Sequence, residues 1–155
     1  MTPTLQEEIR QRKPFGSAEE EAMLSIARTA AVLEHAAGEM LKKHGLTITQ
    51  YNALRILRGA GAEGLCRNEI RDRLISRVPD ATRLLDRLED TGLVTRTREG
   101  DDRRFVLSRI TPAGLELLAR LDPEVAATNR HLLGHLGQGK LRTLINLLAE
   151  ARNPA

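Results

Sequence analysis

RNEIRDRLISRVPDATRLLDRLEDTGLVTR (67–96), running on as TREGDDRRFVLSRIT (97–111) and PAG (112–114), is the stretch that decides how this chain is read. Ile70 and Leu74, and then Ala81, Leu84, Leu85 and Leu88, recur at spacings that gather each set on one face of a short helix. Pro79 stands at a first-turn position of the second helix, where its missing N–H is harmless, and Gly92 stops that helix. Leu93–Arg98 and Arg103–Arg109 then carry β-type residues around REGDD, a hairpin with Gly100 at the bend. Two short helices followed at once by a charged ribbon spell a winged helix-turn-helix.

Working outward, Ser17 precedes Glu20 by three positions, a capping-box spacing, and opens a helix that runs to Lys43. Its apolar set is Ala22, Met23, Ile26, Ala30, Leu33, Ala37, Met40 and Leu41, with Gly38 as the interior weakness. Thr47 or Thr49 caps the next helix, which carries Tyr51, Leu54, Ile56 and Leu57 and closes in GAGAEG (59–64). Those glycines suit tight turns and not a phosphate cradle, since no strand precedes them and no lysine follows. Asn68–Leu74 makes the first helix of the reader. Thr111-Pro112 opens a long helix, bent at Pro123, that Gly137–Gly139 breaks, and Lys140–Ala149 closes the chain. The organisation is one nested domain of mainly α class. It comprises an N-terminal arm (1–17), a dimerisation helix (18–46), the winged helix-turn-helix (47–110) and C-terminal dimerisation helices (111–155).

At 155 residues the chain can build one ordinary core. With two Phe, one Tyr and no Trp, that core is set by Leu, Ala, Ile and Val, which favours helix-on-helix packing over a sandwich or barrel. No apolar run is long enough for a bilayer span, and the N-terminal charges are followed by no apolar segment, so the expected setting is the cytoplasm, with no membrane partner. The single Cys66 has no partner for an internal disulfide and is expected to be buried and inert. The terminal helices carry more apolar residues than a reader of this size can cover, so the expected partner is a second copy.

The net charge of +3 steers weakly, but its distribution is uneven. Between Arg67 and Arg109 stand eleven Arg, no Lys and nine acidic residues. Arginine-rich usage also has a purely compositional explanation, so the motif carries the argument. A helix presents its outward residues to base edges and phosphates when it enters a major groove. On the helix beginning at Pro79, Thr82 and Arg83 lie in the half expected to face bases or phosphates, and Arg87, one turn on, is expected at a phosphate. Asp80 and Asp86 would be repelled by phosphate unless they cap the helix or orient an arginine. At the hairpin tip, Arg103 and Arg104 suit a minor groove, whose concentrated negative potential attracts arginine.

TRLLDRLEDTGLVTR (82–96), the triplet Asp102-Arg103-Arg104 and ITPAG (110–114) together resemble the MarR family of bacterial regulators, over about residues 18–150. The resemblance implies a homodimeric transcriptional regulator on double-stranded DNA with a palindromic operator, usually a repressor. The recognition helix (79–90) would lie in a major groove and the wing (96–108) in the adjacent minor groove. It also implies that Arg104 is the wing arginine, Asp102 its acidic partner in the triplet, and Asp86 a helix carboxylate that helps hold the wing arginine. Ile110 stands where the family usually has leucine at the start of the dimerisation helix. PDA (79–81) replaces a serine or threonine pair found in many relatives, which alters sequence preference without removing DNA binding. Cys66 lies away from the start of the long first helix, where the peroxide-sensing branch keeps its thiol.

Family members often take small aromatic effectors in a cleft between dimerisation helices and reader. The implied lining residues here are His35, Met40, His44, Tyr51 and Arg55; in their plain reading Met40 and Tyr51 are core and the histidines surface. His131 and His135 share a helix face at a zinc-chelating spacing, but no cysteine or carboxylate nearby in sequence completes a site, so neither a metal nor another cofactor is expected. No nucleophile–base pair calls for an enzyme. Two alternatives stay open: a winged-helix regulator without an effector, and a non-specific architectural DNA binder.

Overall fold

The computed structural model describes residues 1–101 and 105–155. The described elements run α1 (Leu5–Glu8), α2 (Ala18–Lys42), α3 (Ile48–Ala60), β1 (Leu65–Cys66), α4 (Arg67–Arg73), α5 (Ala81–Asp90), β2 (Val94–Arg98), β3 (Val106–Ile110), α6 (Pro112–Leu133) and α7 (Gly137–Arg152), with 3-10 turns at Gly61–Glu63 and Gly134–Leu136.

Local chemistry sets most boundaries. Ser17 Oγ accepts the Glu20 N–H at the start of α2, but Glu20 returns its carboxylate to the Gly16 N–H, one residue before the cap. Thr47 and Gln50 form a complete reciprocal box at α3. Thr111 Oγ1 accepts from Gly114 N at the head of α6, with Pro112 in the first turn. Pro123 lies inside α6, which continues past it for almost three turns.

The core gathers where α2 ends and the reader begins. Leu41, Leu54, Leu57, Ile70, Leu85, Leu88, Val94, Leu118 and Leu121 are closed to solvent. They come from α2, α3, α4, α5, β2 and α6, so one apolar cluster clamps the reader to the last turns of α2 and the first turns of α6. Elsewhere α2 leaves Met23, Leu24, Ile26 and Val32 exposed, and no residue of α7 is buried. No helix among the described residues is long and apolar enough to cross a membrane.

Four features of the backbone depart from the sequence expectations. The ribbon gains a third strand: β1 pairs antiparallel with β3, giving the order β1-β3-β2. Two residues carry no periodic signal, so β1 is invisible until β3 pairs with it. Pro79 lies outside α5, whose N-cap is Asp80, because the Asp80 carboxylate captures the Arg83 N–H at 3.1 Å. The break after α6 falls at Gly134–Leu136, and Gly137, with φ +75°, opens α7. His131 and His135 therefore do not share a helix face, since α6 ends between them, and no metal-holding cluster occurs among the described residues.

Candidate nucleic-acid interface

α5 is built to bury one face and offer the other. Ala81, Leu85 and Leu88 are buried against the core, Leu84 is half-buried, and Arg83 and Arg87 are exposed one turn apart on one face. No ion pair among the described residues involves either arginine. Thr82 is half-buried, and its Oγ1 accepts a 3.0 Å hydrogen bond from Arg67 Nη1 at the start of α4.

Three of the four acidic residues at α5 are engaged by other partners, while Asp90, in the last turn, is exposed and in no ion pair among the described residues. Asp80 is used as the cap. Asp86 and Glu89 converge on Arg96 of β2, whose Nη2 lies 2.5 Å from Asp86 Oδ1 and 2.9 Å from Glu89 Oε1. Glu89 Oε2 also accepts the Arg96 backbone N–H at 3.0 Å. The hydrogen bond from Arg96 holds the Glu89 carboxyl below the usual carboxylate range, against the opposing effect of burial. One guanidinium thus fastens the helix to the first wing strand and holds both carboxylates, offsetting one of their two negative charges.

The wing is braced from the opposite side by Arg109 of β3. Its Nε donates to Ala62 O at 2.7 Å, its Nη1 to Thr97 Oγ1 at 2.8 Å, and its Nη2 pairs with Glu99 at 2.6 Å. Gly64 lets this approach happen: at φ +69°, a Cβ there would sit 2.7 Å from Ser108 O and 2.8 Å from Arg109 Cγ. GAGAEG is therefore a turn that docks the sheet, as its glycines implied. At the tip, Glu99 N–H bonds Phe105 O at 3.2 Å. Asp102, Arg103 and Arg104 lie outside the described residues, and so does any contact of Asp86 with Arg104; the described partner of Asp86 is Arg96.

Cys66 is half-buried, in contrast to the buried thiol expected. Alternation explains this: Leu65 takes the inward position of β1, which turns Cys66 to the other face, where it lines a hollow with Arg67, Thr82, Arg96 and Phe105. Glu69 accepts the Cys66 backbone N–H at 2.8 Å, and that bond lowers the Glu69 carboxyl below its ordinary range.

The residues singled out for an effector do not share one site. Met40 lines a groove of about 430 Å³ between α2 and α6, with Glu39, Lys43, Glu124, Thr128 and His131. His44 sits at the α2–α3 turn, with Nε2 2.7 Å from Glu124 Oε2. Tyr51 packs on the core, Arg55 stacks over its ring at 5.9 Å, and His35 is exposed on α2.

A model of the MarR family matches residues 44–104, which span α3 through the wing. The crystal structure of a MarR transcription factor from Planctomyces limnophilus is 41% identical, covering 88% of this chain and 98% of that one, with a TM-score of 0.69. The chain belongs to the MarR family. Membership makes it a winged helix-turn-helix, DNA-binding transcriptional regulator and not an enzyme. Regulators of the family generally act as dimeric DNA-binding repressors, some of them modulated by a ligand. The homoprotocatechuate degradative operon repressor of Escherichia coli is 28% identical over 111 residues, 72% of this chain and 74% of that protein. The fold is shared with Bordetella bronchiseptica BpsR, whose structure was described as a mechanism for regulation of DNA binding by 6-hydroxynicotinic acid. That match has 20% identity, covers 92% of this chain and all of BpsR, and has a TM-score of 0.78.

Arg67, Arg96 and Arg109 were missed as organisers of this surface. Each finds its partner through the tertiary path of the chain, and no local spacing marks it among eleven arginines.

Proposed function

We propose that this chain is a dimeric, sequence-specific repressor whose grip on a palindromic operator is tuned by a small aromatic effector. The observation that carries the DNA contact is the division of charge on α5: Arg83 and Arg87 stand open, while Asp80, Asp86 and Glu89 are engaged by the helix start and by Arg96, and the open carboxylate of Asp90 lies at the far end of the helix. In this reading Thr82 and Arg83 meet base edges or flanking phosphate in a major groove, and Arg87 meets a phosphate. Arg103 and Arg104, with Asp102 beside them, belong to the wing that reaches the adjacent minor groove.

Dimerisation is supported by the exposed apolar residues of α2 and α7, which the described residues of the chain leave open to solvent. The groove between α2 and α6 supports the effector: Met40 and Leu132 provide apolar wall, and Lys43 and His131 provide donors for a phenol or carboxylate. The degradative-operon repressor named above, and the regulation of BpsR's DNA binding by 6-hydroxynicotinic acid, favour the same assignment.

The test is binding of the purified protein to its own upstream intergenic DNA, with scrambled duplex as competitor at matched salt. Preference for the intergenic duplex is expected, and Arg83→Ala or Arg104→Ala should weaken it by about 1–3 kcal/mol each if a base contact is lost. Equal affinity for both duplexes would instead identify an architectural DNA binder. Unchanged preference in both variants would overturn the residue assignment.

A further inference from the structure

Arg67 is the first residue of α4 and is exposed, yet its guanidinium is directed: Nη1 donates to Thr82 Oγ1 at 3.0 Å, fifteen residues along the chain. Arg58, Arg71, Arg96 and Arg109 each hold a carboxylate. Among the described residues no carboxylate lies within ion-pair distance of Arg67. A guanidinium carries five N–H donors, and the contact with Thr82 uses one of them on a neutral oxygen. With Asn68, Thr82 and Arg96, Arg67 lines a surface hollow of about 390 Å³ between the starts of α4 and α5 and the base of the wing. Arg96 is compensated there by Asp86 and Glu89, which leaves Arg67 as the uncompensated positive charge of the described lining.

We propose that Arg67 holds a backbone phosphate of duplex DNA beside the groove that α5 enters and, through Thr82 Oγ1, orients the first polar side chain of that helix. The proposal rests on α5 being the DNA-reading helix. The chemistry is economical. A planar fork can give one N–H to a hydroxyl while its remaining donors and full charge face a phosphate. Because Thr82 Oγ1 already accepts from Arg67, its own O–H is free to donate toward DNA. Arg67 is thus a positioning residue for Thr82 and a contact in its own right, and these two roles are separable by salt.

Each phosphate neutralised contributes about 0.9 to the slope of log K against log salt. The experiment titrates the protein against a scrambled-sequence duplex and its upstream intergenic duplex over a series of KCl concentrations. The proteins compared are wild type, Arg67→Gln, Arg67→Lys and Thr82→Val. Arg67→Gln is expected to flatten the slope by about 0.9 per bound subunit on both duplexes. Arg67→Lys should keep the slope, since the charge stays, and Thr82→Val should keep it while losing preference for the intergenic duplex. Arg67→Gln weakening binding at an unchanged slope, or changing nothing, would overturn the phosphate contact. A slope lost equally in Arg67→Lys would mean a disturbed reader in place of a lost charge, and would overturn it too. Wild type that shows no salt-dependent binding overturns the DNA-reading assignment of α5 and this proposal with it, a failure visible before any variant is compared. Circular dichroism melting checks that each variant folds, as expected for substitutions at an exposed arginine and a half-buried threonine.

Discussion

In the reader, Leu54, Leu57, Ile70, Leu85 and Leu88 are sealed from solvent, whereas on α7 every apolar side chain keeps some contact with it, and the first half of α2 resembles α7. Both regions contain amphipathic helices with leucine on the apolar face. They differ in whether the chain supplies its own second layer. Around the reader, α2, α6 and the sheet close over the apolar cluster; at the far ends of α2 and α7 no described residue of the same copy does. Burial, not periodicity, distinguishes a helix finished by its own fold from one that awaits another surface.

The largest effect should come from making the same truncation in both regions. Leu54→Ala removes a side chain that is 0% exposed and should cost about 2–5 kcal/mol in chemical denaturation, independent of protein concentration. Leu147→Ala, at 57% exposed within one copy, should act through association, lowering the melting temperature most at low protein concentration. A Leu147 variant whose loss ignores concentration would break the comparison, because α7 would then be completed within the chain.

Gly114 probes the join between the two regions. A Cβ there would stand 2.6 Å from Leu93 O and 2.6 Å from Ile110 Cγ1, where α6 leaves the wing. Gly114→Ala should therefore cost about 1–3 kcal/mol by overpacking, measured by denaturation. No loss would show that the sheet and α6 can separate freely.

A smaller effect, read in pH, tests the Arg96 clamp. Glu89 is held below its ordinary range mainly by the hydrogen bond from Arg96, so its contribution is complete above the pKa of an unfolded-chain glutamate. That contribution is lost as pH falls through the lowered folded value. Arg96→Gln should shrink this acid-side loss in melting temperature, while wild type keeps it; identical acid profiles would remove the clamp from the account. The smallest effect is expected at Arg58, whose Nη1 lies 2.9 Å from Asp122 Oδ2 at the surface between α3 and α6. Asp122→Asn should change stability by no more than about 1 kcal/mol and should shrink further at high salt.

Much of the reader was legible because its information is local. The apolar spacing of 81–88, Gly92, the hairpin and Thr111-Pro112 each specify backbone within a few residues, and their order names the fold. That Asp80 and Asp86 would cap the helix or orient an arginine was readable from charge, but which does which was not: Asp80 caps, and the described partner of Asp86 is Arg96. The effector residues were less legible. His44, Tyr51 and Arg55 look equivalent on a helical net, yet one turns to Glu124 and another stacks on its neighbour.

The sequence by itself determined the presence and order of the long helices and of the winged reader, the Ser17 cap and the concentration of arginine between Arg67 and Arg109, because propensity, capping and periodicity act over one or two turns. Only the tertiary structure decided that β1 exists, that Cys66 faces outward, that Arg96 gathers Asp86 and Glu89, and that Arg67 reaches Thr82. Those outcomes depend on pairing and charge compensation between segments far apart in sequence, whose relative positions are set when the common core closes.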